Sequence, residues 1–468
     1  MTRLNRTSRR DALNRFGSGF GGLALGTLLN EATAAARAAS PVVPEFNAPA
    51  KAVIQLYMHG GPSHVDLLDP KPVLNRFDGT IPPDEVADDE ERTKNLMGSP
   101  FRFRRYGQSG LEFSEIQPSV AKHADEIAVI RSMFTEHRNH EQAIWMAQTG
   151  MTVPGRPTLG AWSAYGLGTE NRNLPAFIAL PDPDGNSVDG IRNWSNGWLP
   201  PHYQGTAFRE QGSPVANLHP KQSRSPAIED TRMRLLRRLN QRHLADRPGE
   251  QELDARIETF ELAARMQLAA TDALDLSQET AHTQRLYGLD HETTKSYGTR
   301  CLMARRLVER GVRFVSLFMY QQPWDTHSDN NKRTRQCCRK TDQPVGALLT
   351  DLRQRGLLDS TLVFWGGEFG RTPTAEQQKP GAVFGRDHHP YGFSVWLAGG
   401  GIKGGQHYGA TDDFGHRAVE NRTQTADLHA TMLHLLGLDH EMLTWHHNGR
   451  DERLTDVYDA RLIEELIT

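Results

Sequence analysis

The chain has little cysteine. Its 468 residues include three, Cys301, Cys337 and Cys338, and a bridge between the two neighbours would strain the backbone. A bridge from Cys301 to either of them fits the sequence, but three cysteines do not make a disulfide framework, and no C-x-x-C pair indicates a structural zinc site. A chain of this length can bury a sizeable apolar core, so we expect a fold that does not depend on disulfides.

Strong net charge is also missing. The formal net charge is −3, and no basic stripe with interleaved aromatic residues occurs, which argues against a nucleic-acid partner. The 42 glycines and 26 prolines are dispersed, as in an enzyme with many loops, and no internal repeat is visible. After the N-terminal region no apolar run is long enough for a stable membrane span in the mature chain.

The N-terminus resembles a bacterial export signal. Ser8-Arg9-Arg10-Asp11-Ala12-Leu13 has the twin-arginine pattern, and the uncharged, glycine-rich stretch from Phe16 to Asn30 follows it. Small residues at 34–39 suit signal cleavage. We therefore predict a signal at 1–39 and a periplasmic or extracellular mature protein. An uncleaved amphipathic anchor is the alternative.

Three apolar runs indicate buried strands of an α/β protein. Val53 to Met58, Val312 to Phe318 and Thr361 to Trp365 are each followed by a loop rich in glycine, histidine or carboxylate. Further strands are predicted at 127–131, 176–180 and 394–398, and they alternate with helices at 140–149, 298–310, 342–355 and 427–436. This alternation predicts one domain at 50–468 with a doubly wound, mainly parallel sheet covered on both faces. The charged, leucine-rich segment at about 228–285 is expected to form a helical insertion.

The loops after these runs carry candidate metal ligands. Parallel sheets bind ligands beyond the carboxyl ends of their strands, so the loops should share one site. Imidazole and carboxylate together suit zinc or another first-row divalent ion, with calcium or manganese as alternatives to zinc. Asp325 and His327 are two residues apart, which in extended backbone points both side chains to one side. The predicted ligands are His59, His64, Asp66, Asp325, His327, Glu368, Asp387, His388 and His389.

Several of these residues also allow a different interpretation. The His64 and Asp66 loop could be a polar turn that caps the next segment. Arg371 could bind a tetrahedral anion with its forked donors, or it could pair with Glu368 instead. Adjacent histidines usually point apart, so one of His388 and His389 would bind metal and the other would act as a general acid or support a ligand.

Two further features bear on catalysis. The 387–389 loop precedes a strand, so it reaches the shared site only if that strand runs antiparallel or the loop crosses over. His140 lies at a predicted helix start, where anions are favoured. His140 and Arg371 are therefore the predicted catalytic residues, one for proton transfer and the other for anion stabilisation.

Five stretches resemble one known family. They are MHGGPSHVDLLDPKP at 58–72, WDTHSDN at 324–330, GGEFGRTP at 366–373, GRDHHPYGFSVWLAGGGIKGG at 385–405 and DLHATMLHLLGL at 427–438. These match exported bacterial proteins that share the domain of unknown function 1501, a family related to the alkaline phosphatase and sulfatase superfamily. The resemblance covers nearly all of the chain from residue 50 onward.

The resemblance implies a doubly wound sheet with metal ligands on loops at one end. Asp325 and His327 resemble the superfamily's Asp-and-His metal pair, and His388 or His389 resembles its late metal-binding histidine. Glu368 stands where many members have Asp-His, so Phe369 departs from the pattern, and His59 stands where a first-strand aspartate is usual. The sulfatase Cys/Ser-x-Pro-x-Arg motif is missing, and no serine or threonine clearly takes the phosphatase nucleophile position near 137–141.

We therefore expect an exported metal-dependent hydrolase of phosphate or sulfate esters. Its substrate would be a small anionic ester or a sulfated polysaccharide, and one or two metal ions would polarise the ester. The alternative is a non-catalytic protein of the same fold that binds a metal or a ligand. The missing nucleophile favours this alternative, whereas the concentration of histidine and carboxylate disfavours it.

Overall fold

The computed structural model describes residues 48–83, 94–212, 215, 225–247, 250–377, 381 and 383–468. The predicted export signal at 1–39 lies outside these described residues, and so does the acidic stretch from Asp84 to Glu91, for which the sequence predicts a solvated loop. Export therefore stays a prediction from the sequence.

The central strand shows how the core is arranged. Ala52–Tyr57, strand β1, is buried along its whole length. Ile54 and Leu56 pack in one apolar core, whereas Val53 and Tyr57 pack in a second one. Because successive side chains of a strand face opposite sides, the sheet has an apolar core on each face. A parallel sheet needs this double cover, since both of its faces are buried.

The described residues contribute nine strands to one mixed sheet. After β1, the strands are β2 Ile127–Phe134, β3 Phe177–Leu180, β4 Thr206–Ala207, β5 Phe314–Leu317, β6 Thr361–Gly366, β7 Phe393–Ala398, β8 Gln406–Tyr408 and β9 Thr423–Gln424. The spatial order is β8-β2-β7-β6-β1-β5-β3-β4, with β9 also paired to β2. Strand β1 lies between β5 and β6 and is parallel to both, with Val53 beside Phe314 and Leu362. The three apolar runs therefore form neighbouring parallel strands, and the predicted mainly parallel sheet is confirmed.

One strand runs against the others. Strand β7 is antiparallel to both β2 and β6, while every other pairing in this sheet is parallel. The beginning of β7 therefore lies at the same edge as the carboxyl ends of the parallel strands. This direction places the loop at 387–389, which precedes β7, beside the loops that follow β1, β5 and β6.

Helices cover both faces of the sheet. Cys301 and Leu348 belong to helices on one side, and Trp162 and Met432 belong to helices on the other. The described helices are α1 His64–Leu67, α2 Pro72–Arg76, α3 His140–Thr149, α4 Leu159–Leu167, α5 Pro226–Ala245, α6 Gln251–Leu274, α7 Ala281–Leu286, α8 Glu292–Glu309, α9 Asn330–Gln354 and α10 Thr425–Leu435. Two-stranded ribbons join Phe103–Tyr106 to Leu111–Ser114, Gly370–Arg371 to His388–His389, Ala410–Thr411 to Ala418–Glu420 and Trp445–His447 to Arg450–Glu452.

Two predicted helical segments differ from the observed ones. The segment at 228–285 is divided into α5, α6 and α7, which lie outside the sheet as expected. The helix predicted at 342–355 begins earlier, at Asn330. Its first half buries Thr334, Cys337 and Cys338 rather than large apolar side chains, so the apolar periodicity there is too weak to reveal a helix.

Among the helices that the structure describes, we find no segment with the length and apolar character needed to cross a lipid bilayer.

Helix α8, which leads into β5, contains a glycine whose contact outweighs helix propensity. A Cβ atom on Gly298 would lie 2.1 Å from the backbone oxygen of Tyr287. Replacing glycine by alanine inside a helix normally stabilises it by about 1 kcal/mol. Here we expect Gly298→Ala to destabilise the protein by roughly 1–3 kcal/mol, because overpacking forces the backbone apart.

Urea unfolding of Gly298→Ala and of the exposed control Thr293→Ala would measure this difference. The control lies on the same helix and should stay within about 0.5 kcal/mol of the parent protein. A glycine variant as stable as the parent protein would show that α8 does not approach Tyr287 this closely.

Candidate metal centre

Three strands deliver polar side chains to one edge of the sheet. His140 begins α3 after β2, Asp325 and His327 follow β5, and His388 precedes the antiparallel β7. Oδ1 of Asp325 lies 3.0 Å from Nε2 of His327 and 3.1 Å from Nε2 of His388. Oδ2 of Asp325 lies 3.5 Å from Nε2 of His140. One carboxylate thus faces three imidazole rings.

These side chains form two overlapping sets of possible metal ligands, together called the imidazole cluster here. The first set is His140, Asp325 and His388, and the second is His327, Asp387 and His388. In each set the ligand atoms lie within 4.8 Å of one another. The side chains are half-buried, so an ion or a small molecule can reach them.

Two more carboxylates orient the rings. Nδ1 of His140 lies 2.7 Å from Oε1 of Glu368, and Nδ1 of His327 lies 2.5 Å from Oε2 of Glu376. A ring that donates from Nδ1 to a carboxylate keeps Nε2 available as a ligand atom. Both rings therefore present Nε2 to the cluster.

Arg371 joins the loops around the cluster. Its guanidinium group is fully buried and lies 2.5 Å from Oδ1 of Asp325. It also donates to the backbone oxygens of Gly60, Gly61 and Arg386. With its donors committed to protein acceptors, Arg371 is a positioning residue in this structure. It neither pairs with Glu368 nor stands open to a tetrahedral anion, the two roles considered from the sequence.

The loop after β1 approaches the cluster through its backbone. The amide of Gly60 donates to Oε1 of Glu368 over 2.8 Å. Gly60 has a φ of +109°, and a Cβ atom there would lie 2.4 Å from the backbone nitrogen of Asp325. Only glycine fits both the conformation and the space.

The charges of the cluster stabilise one another. Burial opposes ionisation of Asp325, but hydrogen bonds from His140, His327 and His388 outweigh it and hold the pKa of this carboxyl far below its ordinary value. The hydrogen bond to Asp325 raises the pKa of His327 against the effect of burial. Burial lowers the pKa of His140, but its two carboxylate partners more than compensate. Protonation of His140 and His327, whose pKa values are raised, thus balances part of the carboxylate charge.

Asp66 does not join the cluster. Its carboxylate is fully buried and accepts two bonds from the fully buried Arg386, at 2.8 and 3.1 Å. Ser63 and Asn330 donate to the same carboxylate at 2.6 and 2.8 Å. These four donors satisfy Asp66, so the structure gives it a structural role and not that of a metal ligand.

His64, His389 and His59 also lie outside the two ligand sets. His64 bonds to the backbone oxygen of Gly415 over 2.7 Å, and His389 bonds to that of His416. The strand geometry at 388–389 turns the neighbouring rings apart, and only His388 faces Asp325. His59 is fully buried behind the cluster, where burial lowers its pKa to about 4 despite the nearby Glu368.

The sequence did not reveal three charged residues that contact the predicted metal ligands. Glu376 orients His327, Lys94 pairs with Asp387 at 2.9 Å, and Arg386 neutralises Asp66. Arg386 stands in the GRDHH stretch, where its position beside the candidate ligands was a usable signal. Glu376 and Lys94 lie in loops without a recognisable pattern, and only the fold brings them to the site.

A cleft opens beside the cluster. It has a volume of about 1000 Å³, and Lys94 and Glu376 lie in its wall next to Asp387 and His327. The rest of the wall is mixed, with amide, carboxylate and apolar side chains that include Asn75, Asp78, Asn95, Gln377 and Phe384.

The sequence matches the family described as "Protein of unknown function (DUF1501)" over residues 50–467, and the chain belongs to this family. None of the curated protein sequences compared with this chain matches it.

Solved structures to which this chain is similar include a sulfatase, a periplasmic domain and an alkaline phosphatase variant. The PsFucS1 sulfatase from Pseudoalteromonas sp. has 12% identity and a TM-score of 0.37, with 85% of this chain and 69% of that chain covered. The zinc complex of the C-terminal periplasmic domain of EcEptC from Escherichia coli has 9% identity and a TM-score of 0.36, with 86% and 88% covered. A variant of TAB5 alkaline phosphatase with magnesium bound has 10% identity and a TM-score of 0.37, with 84% and 99% covered. TM-scores and identities this low carry no argument about the activity of this chain.

The structural role of Asp66 can be separated from metal binding. We expect Asp66→Asn to lower the free energy of unfolding by roughly 3–5 kcal/mol, because Arg386 would keep a buried charge without its partner. The folded variant should nevertheless bind as much metal as the parent protein. Urea unfolding combined with elemental analysis of the folded fraction checks both points. A stable variant that has lost its metal would instead identify Asp66 as a ligand.

Proposed function

We propose that the protein is an exported metal-dependent hydrolase of phosphate or sulfate esters. The observation that carries this proposal is the pair of carboxylate–histidine contacts, Glu368 to His140 and Glu376 to His327. Ligating histidines in proteins commonly donate their second ring nitrogen to a carboxylate, which fixes the tautomer and raises the basicity of the ligand atom. Two such contacts around one aspartate are typical of a metal site.

The residues of the imidazole cluster fit a first-row divalent ion. Zinc bound about 2.0–2.2 Å from each ligand places tetrahedral ligand atoms about 3.3–3.6 Å apart. Within the first ligand set, Asp325 lies 3.5 Å from His140 and 3.1 Å from His388, close to that spacing. The two imidazoles in each ligand set favour zinc, and manganese less strongly, over calcium, which prefers oxygen ligands.

The number of ions that the cluster would hold is limited by His388, which belongs to both ligand sets. Its Nε2 lies 2.9 Å from Nε2 of His327 and 3.1 Å from Oδ1 of Asp325, so both ligand sets meet at this nitrogen. A ring nitrogen has one lone pair for a metal. We therefore propose that the cluster holds one ion through His388, either with His140 and Asp325 or with His327 and Asp387.

The proposed mechanism assigns orientation to the protein. A bound divalent ion would act as a Lewis acid on an oxygen of the ester. Glu368 and Glu376 would hold His140 and His327 in place, and Arg371 would hold Asp325. For an ion held with His327 and Asp387, Nε2 of His140 would be available to move a proton, with its ring held by Glu368. Because 137–141 contains no serine or threonine, we propose attack by water and not by a side-chain nucleophile.

The cleft supports a substrate larger than the ester group. Its volume of about 1000 Å³ leaves room for an attached body such as a sugar. Its described wall carries Asp78 and Glu376 as well as Lys94, so it has no excess of positive charge. Within the two substrate classes predicted from the sequence, this balance favours a small or singly charged ester over a densely sulfated polysaccharide.

A non-catalytic metal- or ligand-binding protein is the second candidate. The absence of a hydroxyl nucleophile at 137–141 and the commitment of Arg371 to protein acceptors favour it. Turnover distinguishes the two candidates, since both predict bound metal.

Metal content and turnover test the proposal together. We expect the purified protein to hold close to one equivalent of a divalent metal, and to hydrolyse p-nitrophenyl phosphate or p-nitrophenyl sulfate. His388→Ala should abolish both properties because it removes the ligand common to both sets. For an ion held with His327 and Asp387, Glu376→Gln should weaken metal affinity about 10–100-fold, since it removes only the carboxylate that orients His327. For an ion held with His140 and Asp325, Glu368→Gln should have this effect instead.

The matched control is His446→Ala, which removes an exposed imidazole that also contacts a carboxylate, Asp451, at 2.8 Å. It should leave metal content and turnover unchanged. Full metal in the His388 variant would contradict the assigned centre. Normal metal content without turnover on either ester would favour the binding protein.

Export is tested on the precursor. Changing Arg9 and Arg10 to lysine should retain the protein in the cytoplasm, because twin-arginine transport requires the arginine pair. Cell fractionation followed by immunoblotting measures the distribution. Unchanged export of this variant would rule out the twin-arginine route.

A further inference from the structure

Helix α5 is unusual because none of its residues whose side chains are described is buried. Only Glu229, Met233, Asn240 and Leu244 are partly covered. These residues lie on the side that packs against α6, where Arg237 of α5 and Glu261 of α6 are 3.4 Å apart. The other described side chains of this 20-residue helix face solvent.

The solvent side carries large apolar residues. Ile228, Leu235 and Leu239 are 59%, 58% and 52% exposed. They are separated by seven and four residues, a spacing that places them in one stripe along a helix. Scattered exposed leucines are ordinary, but an aligned row on a helix that contributes little to the core indicates a surface used for contact.

Arginines flank this stripe. Arg232 lies four residues after Ile228, Arg238 three after Leu235 and Arg242 three after Leu239, so each is adjacent to the stripe. All three are exposed, and Arg232 also pairs with Glu229 at 2.9 Å. Residues 226–245 contain five arginines against Glu229 and Asp230, a net charge of +3. The whole chain carries −3, so positive charge is concentrated here.

We propose that α5 docks the protein on an anionic lipid surface. The stripe would enter the boundary between headgroups and acyl chains while the flanking arginines contact lipid phosphates, as in helices that lie in the membrane interface. Pairing of α5 with the same helix of a second copy would bring two groups of net charge +3 together, and this repulsion disfavours it. The proposal does not depend on the proposed hydrolase activity.

Vesicle cosedimentation tests the docking surface. A chain that starts at residue 40, and so contains every described residue, is mixed with phosphatidylglycerol–phosphatidylcholine vesicles or with pure phosphatidylcholine vesicles. Binding should be at least about tenfold tighter to the anionic vesicles at low salt, and this preference should weaken at high salt because the Debye length shortens.

Variants then separate the apolar and basic contributions. Leu235→Ser with Leu239→Ser, and separately Arg238→Gln with Arg242→Gln, should each weaken binding about tenfold. The control Val419→Ser with Val457→Ser changes two other exposed apolar residues, 60% and 71% exposed, and should bind like the parent chain.

Absent binding by the parent chain, or unchanged binding by both α5 variants, would overturn the proposal. So would a dimer in light scattering that dissociates when Leu235 and Leu239 are changed, since it would identify a second copy as the partner.

Discussion

The geometry of the centre depends on the hydrogen bonds that the guanidinium group of Arg371 donates. Arg371 lies on the loop after β6, yet it binds Asp325 from the loop after β5, the backbone of Gly60 and Gly61 from the loop after β1, and the backbone of Arg386 before β7. Four loops therefore converge on one side chain. A planar fork with five donors on three nitrogens suits this task better than lysine, whose three donors share one nitrogen and so span a smaller region.

A second buried arginine connects two of the segments around the centre. Arg386 pairs with Asp66, and both side chains are completely buried. Such a pair contributes little net stability by itself, but the loss of either partner is costly. This ion pair joins α1, the helix after β1, to the segment that carries His388, so a buried ion pair supports the centre. The candidate ligands are left half-exposed beside this ion pair.

The division between buried arginines and half-buried imidazoles gives the site its chemical character. Asp66 faces Arg386 and no histidine, so its charge is already neutralised. Asp325 faces histidines as well as Arg371, and these rings can exchange a proton for a metal ion. Glu368 and Glu376 set the orientation of their rings without taking a place in either ligand set. The family match does not assign an activity, so the case for a hydrolase rests on this arrangement of donors.

The sequence by itself determined the central strands, the mainly parallel sheet and the side chains that form the two candidate ligand sets. Apolar runs such as Val53 to Met58 are local patterns that can be read from the sequence. Asp325 and His327 are two residues apart, and this separation alone predicts that both side chains point to one side of an extended backbone. The tertiary structure decided which charges meet. Whether Arg371 would bind an anion, Glu368 or Asp325, and whether Asp66 would face a metal or Arg386, depends on side chains up to 320 residues apart. Periodicity carries no information about such pairs, because they are selected by the direction of β7 and by the closure of the loops around it.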